Sequence, residues 1–308
     1  MDERTASEVA ATTRTRIGRV GIFSGMLRSA PPDVEREAVR RVEALGYGSI
    51  WFGESIGGKD AFAHASYLLA ATSDVMIGTG IANVWARHPA NMAGAAATVG
   101  AAWPGRFVHG LGVGHAPTVE ASGQAYVRPL AHITDYLAGM DAARDSAPAT
   151  PVPVPRLVAA LKPRMLALAR DSAHGALPYF VPPSHTPAAR AILGPDRLLL
   201  VEQSVVLSTD ATAARRTARG WMELYLQLPN YVDNLRRLGY ADDVVDGGSD
   251  RLVDAIVAWG DEAAIAARVD ELLAAGADSV LLQVLASDAA TTLDHLAQLA
   301  PAVVGVAP

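Results

Sequence analysis

The sequence predicts an α/β protein built as a (β/α)8 TIM barrel. Short apolar runs alternate with longer amphipathic stretches, the alternation occurs eight times, and the third and fourth runs are rich in glycine. Parallel strands joined by right-handed helical crossovers pack this way, and this number of units favours a closed barrel over an open doubly wound sheet, its rival.

The first run is Arg19–Phe23, followed by Asp33–Leu45, where Val34, Ala38, Val39, Val42 and Leu45 recur at helical spacing. Asp33 is the expected N-cap there and Gly46 the stop. Next come Ser49–Gly53 with a helix over Ala61–Thr72, Val75–Asn83 with a helix over Pro89–Ala101, and Arg106–Gly114 with a helix over Pro129–Asp145. The proline-rich stretch Pro148–Pro155 reads as a connection within one domain, because Arg156–Leu161 and a helix over Pro163–Asp171 resume the alternation. Ala176–Val181, a helix over Pro187–Leu193, and Leu198–Ser208 follow. The segment from Asp210 to Gly260 reads as helical and is long for one connection, which makes it an insertion after the seventh strand, expected to form a helical lid that selects the substrate. A helix over Asp261–Ala275, the strand Ser279–Leu285 and a helix over Thr291–Leu299 complete the pattern. Residues 1–16 are polar and read as a disordered leader to a single domain over 17–308.

Composition narrows the function. The chain has 308 residues, half of them apolar, with a net charge of −6 and no basic run, which argues against nucleic-acid binding. It contains no cysteine, which excludes disulfides and thiolate metal sites. No apolar run approaches the ~18 residues of a membrane span, and no secretory signal is evident, so a cytoplasmic protein without membrane contact is expected. No histidine pair has the spacing of a zinc site, so no metal is expected.

In a barrel of this kind function collects after the C-terminal ends of the strands. That rule selects Ser24, Gly25 and Met26; Glu54, Ser55 and Lys59; Asn83, Trp85 and Arg87; Gly114 and His115; Lys162; Tyr179 and His185; Glu202 and Gln203; and Gln283. Lys59 and Lys162 are the only lysines, and both fall on this face, in keeping with an anionic ligand. Glycines within Gly78–Ile81 and Gly110–Gly114 mark a bulge, a close strand contact, or main chain that touches a ligand. His64, His132 and His295 read as surface residues and His109 as a packed one, whereas His115 directly follows a glycine-rich strand end, where an imidazole suits acid–base work.

At LGYGSIWFGES, MIGTGIANVWARHPANMA, GRFVHGLGVGHAP and WGDEAAIAARVDELLAAGADSVLLQVL, between Ile17 and Leu285, the sequence resembles the luciferase-like flavin-monooxygenase superfamily, which includes coenzyme F420-dependent oxidoreductases. The resemblance implies a non-prolyl cis peptide at Gly80–Ile81 backing the cofactor ring. It implies cofactor phosphate near Gly112, Val113 and Gly114 and near Leu161, Lys162 and Arg164, where helix N–H groups suit an anion. Ser55 and Asn83 would hydrogen-bond cofactor or substrate, His115 would be the acid or base, and Glu54 would orient or polarise. The family commonly forms homodimers. The sequence departs from the family where Ser55 replaces a frequent histidine, His115 replaces an acid of the sugar-phosphate dehydrogenases, and Lys162 replaces a frequent glycine.

Three functions follow as expectations. The first is hydride transfer between F420 and a small organic substrate. The second is an FMN-dependent monooxygenase, and the third is a barrel that has lost redox chemistry and serves as a binding or cofactor-independent protein.

Overall fold

The indole of Trp51 fills the middle of a closed parallel barrel in the computed structural model, which describes residues 3–305. The strands are β1 (Val20–Phe23), β2 (Ser49–Phe52), β3 (Met76–Thr79), β4 (Ala82–Asn83), β5 (Phe107–Gly112), β6 (Arg156–Val158), β7 (Gly175–Ala176), β8 (Leu198–Leu207), β9 (Val257–Gly260) and β10 (Ser279–Val284). Pairing runs β1–β2–β3–β5–β6–β7–β8–β10 and returns to β1, which confirms the TIM barrel. Trp51 Nε1 donates to Ser49 Oγ at 2.9 Å. A Cβ on Gly78 would lie 2.4 Å from the indole, and one on Gly110 would lie 2.0 Å from the Thr79 carbonyl oxygen. These inward glycines therefore make room for Trp51 and for the neighbouring main chain, which selects close strand contact for this pair.

The helices are α1 (Glu3–Arg16), α2 (Pro32–Ala44), α3 (Ala61–Ala71), α4 (Pro89–Ala102), α5 (Ala116–Ala121), α6 (Pro129–Ala142), α7 (Pro163–Ser172), α8 (His185–Leu193), α9 (Ala211–Leu226), α10 (Pro229–Arg237), α11 (Asp250–Ile256), α12 (Glu262–Ala274) and α13 (Ala289–Val303). Asp60, Asp210 and Asp261 cap α3, α9 and α12 through side-chain oxygens that accept first-turn N–H groups. Gly46, at φ +84°, follows the end of α2 as expected. None of the helices among the described residues is long and apolar enough to cross a membrane.

Several expectations are corrected. The leader is a helix from Glu3 onward: Ala6, Val9, Ala10 and Thr13 form a buried stripe, and Ala10 and Ile17 join the inner core beside Leu157 and Leu198. Arg14 Nε adds a 2.6 Å bond to Asp278 Oδ1. Asp33 is not the N-cap of α2, because Pro32 occupies the first turn and Pro31 the cap. The third apolar run breaks between β3 and β4 at Gly80–Ile81. The sixth pairs only at Gly175–Ala176, since Pro178 and Pro182 lack N–H donors and Phe180 has φ +56°. The segment 210–260 ends in a strand, not a helix: β7 covers only Leu198–Leu199 of β8, and β9 pairs with the edge left open over Ser204–Leu207.

His64 is also corrected. It is buried, its ring lies 4.0 Å from Phe52, and its Nε2 lies 3.1 Å from Glu35 Oε1 without hydrogen-bond geometry. Burial pushes His109 down to about 3 and His64 and His174 down to about 4. An unfolded histidine titrates near ~6.5, so below that pH the unfolded chain binds protons that the native one refuses. Stability carried by these three side chains is complete above that value and lost as pH falls toward 4, each contributing ~1.4 kcal/mol per pH unit. Buried Glu202, raised to about 7 by burial, acts in the opposite sense between its unfolded value and 7, and one group does not offset three. Urea unfolding at pH 7.5, 6 and 5 should therefore show a falling midpoint; an unchanged midpoint at pH 5 would contradict these burials.

Candidate active site

Glu54, directly after β2, is the anchor of the rim. Its Oε1 accepts the Ala61 N–H at 3.0 Å, and its Oε2 accepts the Asn83 N–H at 2.7 Å and Arg87 Nη1 at 3.0 Å. Arg87 Nη2 donates to Oε1 as well and to Asp60 Oδ2 at 2.8 Å. The Glu54 and Arg87 side chains are only 3% and 13% exposed. Burial works against the Arg87 charge, but bonds to Glu54 and Asp60 outweigh it and raise its pKa. The main chain of Glu54 reinforces the hold, donating to the Ile81 carbonyl at 3.0 Å. Every strong acceptor direction of this carboxylate is thus spent inside the protein. Its hydrogen bonds make it a positioning residue for Ile81–Asn83.

That held segment forms the floor. Gly80–Ile81 is cis, in line with the resemblance, and both residues are half-buried at the mouth of the barrel. A Cβ on Gly112 would press on Ala159 at 3.0 Å and Ile81 at 3.2 Å, and one on Gly114 would lie 2.7 Å from Asn83 Nδ2. Gly114 also has φ +58°, a conformation that side chains resist. Asn83 Oδ1 accepts the Trp85 N–H at 3.0 Å, and Trp85 Nε1 donates to the Val113 carbonyl at 3.0 Å. Gly80, Ile81, Asn83, Gly112, Val113 and Gly114 are therefore brought together as one shelf of main chain.

His115 follows the shelf and starts α5. Its Nδ1 has no hydrogen-bond partner among the described residues, its ring lies 5.5 Å from Tyr231, and burial followed by the charge of Arg28 lowers its pKa. Leu161, Lys162 and Arg164 lie at the start of α7, with Lys162 at the cap position. The Leu161 carbonyl accepts from buried His185 Nε2 at 2.8 Å, and Lys162 Nζ lies 3.6 Å from Asp233 Oδ2 of α10. Lys59 does not face a ligand. Its ammonium donates to Glu35 Oε1, to the Ala30 carbonyl at 2.6 Å and to the Leu27 carbonyl at 3.2 Å. Gln203 points outward, bonding the Ile256 carbonyl at 2.9 Å, whereas Glu202 faces inward and accepts the Phe180 N–H at 3.1 Å and Ser204 Oγ at 2.7 Å.

The α9–α11 insertion, the segment expected as a helical lid, supplies a roof whose rings Trp221 and Tyr225 strand-end reasoning missed. Trp221 and Tyr225 stand one turn apart on α9, and Tyr231 follows on α10. They pack on Tyr179 and Phe180 with ring centroids 4.9–6.4 Å apart. Tyr179 donates to Gln283 Oε1 at 2.9 Å, which leaves its oxygen to accept from Tyr225, also at 2.9 Å. Burial raises Tyr179 and Tyr231 well above the ordinary phenol range, so both stay neutral. The i, i+4 spacing of Trp221 and Tyr225 was a signal in the sequence that they share one helix face. Arg28, on the short turn Met26–Arg28 after β1, was also missed; its Nη2 donates to Ser55 Oγ across the mouth.

The family model described as luciferase-like monooxygenase matches residues 19–279. A Mycobacterium tuberculosis protein provisionally named a coenzyme F420-dependent oxidoreductase is 31% identical over 120 residues, covering 39% of this chain and 34% of that protein. This chain thus aligns with about a third of the length of that curated relative. Among solved structures, an F420-dependent secondary alcohol dehydrogenase in complex with an F420–acetone adduct superposes with TM-score 0.75 at 18% identity, covering 93% of this chain and 99% of the other. The oxygenating constituent of 3,6-diketocamphane monooxygenase from Pseudomonas putida, in complex with FMN, superposes with TM-score 0.67 at 16% identity, covering 95% and 100%. At these identities the two structures speak for the shared fold.

Proposed function

The chain belongs to the luciferase-like monooxygenase family, a family of enzymes, and from that premise we propose that it is an F420-dependent oxidoreductase acting on a small organic molecule. The observation that carries the reading is the shelf of main chain that runs from Gly80–Ile81 to Gly112–His115, half-buried at Gly80, Ile81 and Val113–His115, beneath an aromatic roof. A side chain at Gly112 or Gly114 would collide with Ile81, Ala159 or Asn83, so only glycine lets these strand ends close together and leaves their main chain bare, which suits a cofactor laid against backbone. The named relative favours deazaflavin over flavin. F420, when bound, supplies or accepts a hydride.

The chain's own residues do the rest. Gly80 and Ile81 would back the ring system, and Gly112–Gly114 with Leu161, Lys162, Arg164 and the start of α7 would hold its phosphate. The Glu54–Arg87 pair keeps the shelf in place. His115, with Nδ1 unpartnered among the described residues, would exchange a proton with the substrate, and the Trp221, Tyr225 and Tyr231 rings would exclude water. A homodimer and a cytoplasmic setting belong to the same proposal.

Titrating the protein with F420 and with FMN, followed by tryptophan emission, tests it. Micromolar binding of F420 and much weaker binding of FMN are expected. The reverse order would transfer the reading to a flavin monooxygenase, and silence with both would end the redox reading.

A further inference from the structure

We propose that Arg28 is the residue that selects the substrate, and that the substrate class is a small carboxylate with a flat apolar or aromatic body. The inference rests on the function proposed above and adds to it the chemistry of the second ligand.

Charge at the mouth is the starting point. Glu54 is committed to Arg87, and Lys162 has Asp233 beside it. Arg28 differs: among the described residues its hydrogen bond is to the neutral Ser55 hydroxyl, and no carboxylate lies within ion-pair distance. Its charge reaches the centre of the site, acting on both His115 and Tyr225. The turn that carries it is fixed from below, where Leu27 is buried and the Lys59 ammonium ties the Leu27 and Ala30 carbonyls to the fully buried Glu35. A guanidinium held by one hydroxyl keeps most of its N–H fork free, and a carboxylate is the planar acceptor that matches that fork.

The rest of the mouth is apolar. Phe23, Tyr179, Trp221, Tyr225 and Tyr231 form its wall and roof, with the Phe23 and Tyr179 centroids 5.1 Å apart. Flat apolar groups gain most against such rings. Arg28 and Ser55 follow β1 and β2, whereas the proposed phosphate holders Lys162 and Arg164 follow β6, on the other side of the barrel order. Arg28, at the edge of the aromatic cluster and across the barrel from the phosphate holders, is thus placed to recognise a second anion, separate from the cofactor.

Calorimetric titration of the full-length protein with phenylacetate, 3-phenylpropionate and 4-phenylbutyrate, each beside its neutral amide, tests the assignment with no need for turnover. At least one carboxylate should bind ~10-fold or more tightly than its amide. Arg28→Gln should abolish that difference, and Arg28→Lys should restore part of it. Because Arg28 is exposed, both variants should unfold at the wild-type urea midpoint, and the F420 affinity of Arg28→Gln should stay within about threefold of wild type. No carboxylate preference, a preference that survives Arg28→Gln, or a large loss of F420 affinity in that variant would each overturn the assignment. Preference for the carboxylate with no F420 or FMN binding would sink the proposed redox function and leave the Arg28 assignment standing.

Discussion

Replacing Glu54 by alanine should cost about 3–5 kcal/mol in urea unfolding, the largest single-site effect expected among the candidate residues. The Arg87 guanidinium would keep its charge while losing a two-pronged partner in a site where it is 13% exposed. The Ala61 and Asn83 N–H groups would lose their acceptor at the same time. Since the Asn83 end of the shelf hangs on this carboxylate, cofactor affinity should fall with stability. The double variant Glu54→Ala/Arg87→Ala should lose less than the sum of its parts, because it leaves no buried charge unpaired. A loss below ~1 kcal/mol in the single variant would mean that the pair behaves like a solvated surface bridge, and that the anchor lies elsewhere.

His115→Ala should act oppositely, lowering turnover on the order of 10²–10⁴-fold while leaving cofactor affinity and stability close to wild type. The side chain packs near Tyr231 and its Nδ1 bonds none of the described residues, so its removal breaks no hydrogen bond at that nitrogen. Burial and Arg28 hold its pKa below the ordinary histidine value, so the imidazole is neutral at pH 7 and ready to accept a proton. Acting as base, it should give turnover that is level above ~6.5 and falls as the medium becomes more acidic. Arg28→Gln removes one cause of the depression and should move that acidic limb toward higher pH. Stopped-flow recording of the deazaflavin absorbance would follow both variants. Equal losses in turnover and cofactor affinity for His115→Ala would reassign the residue to the cofactor pocket.

The limits of sequence reading are clearest where one residue type did two jobs. Gly78, Gly80, Gly110 and Gly112 look alike in the chain, yet Gly78 and Gly110 surround Trp51 and the Thr79 carbonyl, while Gly80 and Gly112 belong to the shelf. Lys59 and Lys162 looked equivalent, yet Lys59 is turned down to Glu35 and Lys162 toward the roof. His64 reads as a surface residue because it lies on a helix; only packing against Phe52 and Glu35 shows that its side of the helix is covered. In each case the deciding neighbour is remote in sequence or lies on another element.

By itself the sequence determined the order of the barrel's strands and helices, the preference for a closed barrel, the helix stop at Gly46 and the face on which the glycine-rich strand ends lie. Those properties follow from apolar period, glycine position and capping chemistry, which act over a few residues. The tertiary structure alone decided that Glu54 would be spent on Arg87, that α1 would cover the lower end of the barrel, that β9 would take the open edge of β8, and that Arg28 would reach Ser55 beneath a roof of tyrosines. Such pairings join segments far apart in the chain, and their strength depends on burial, which exists only once the barrel has closed.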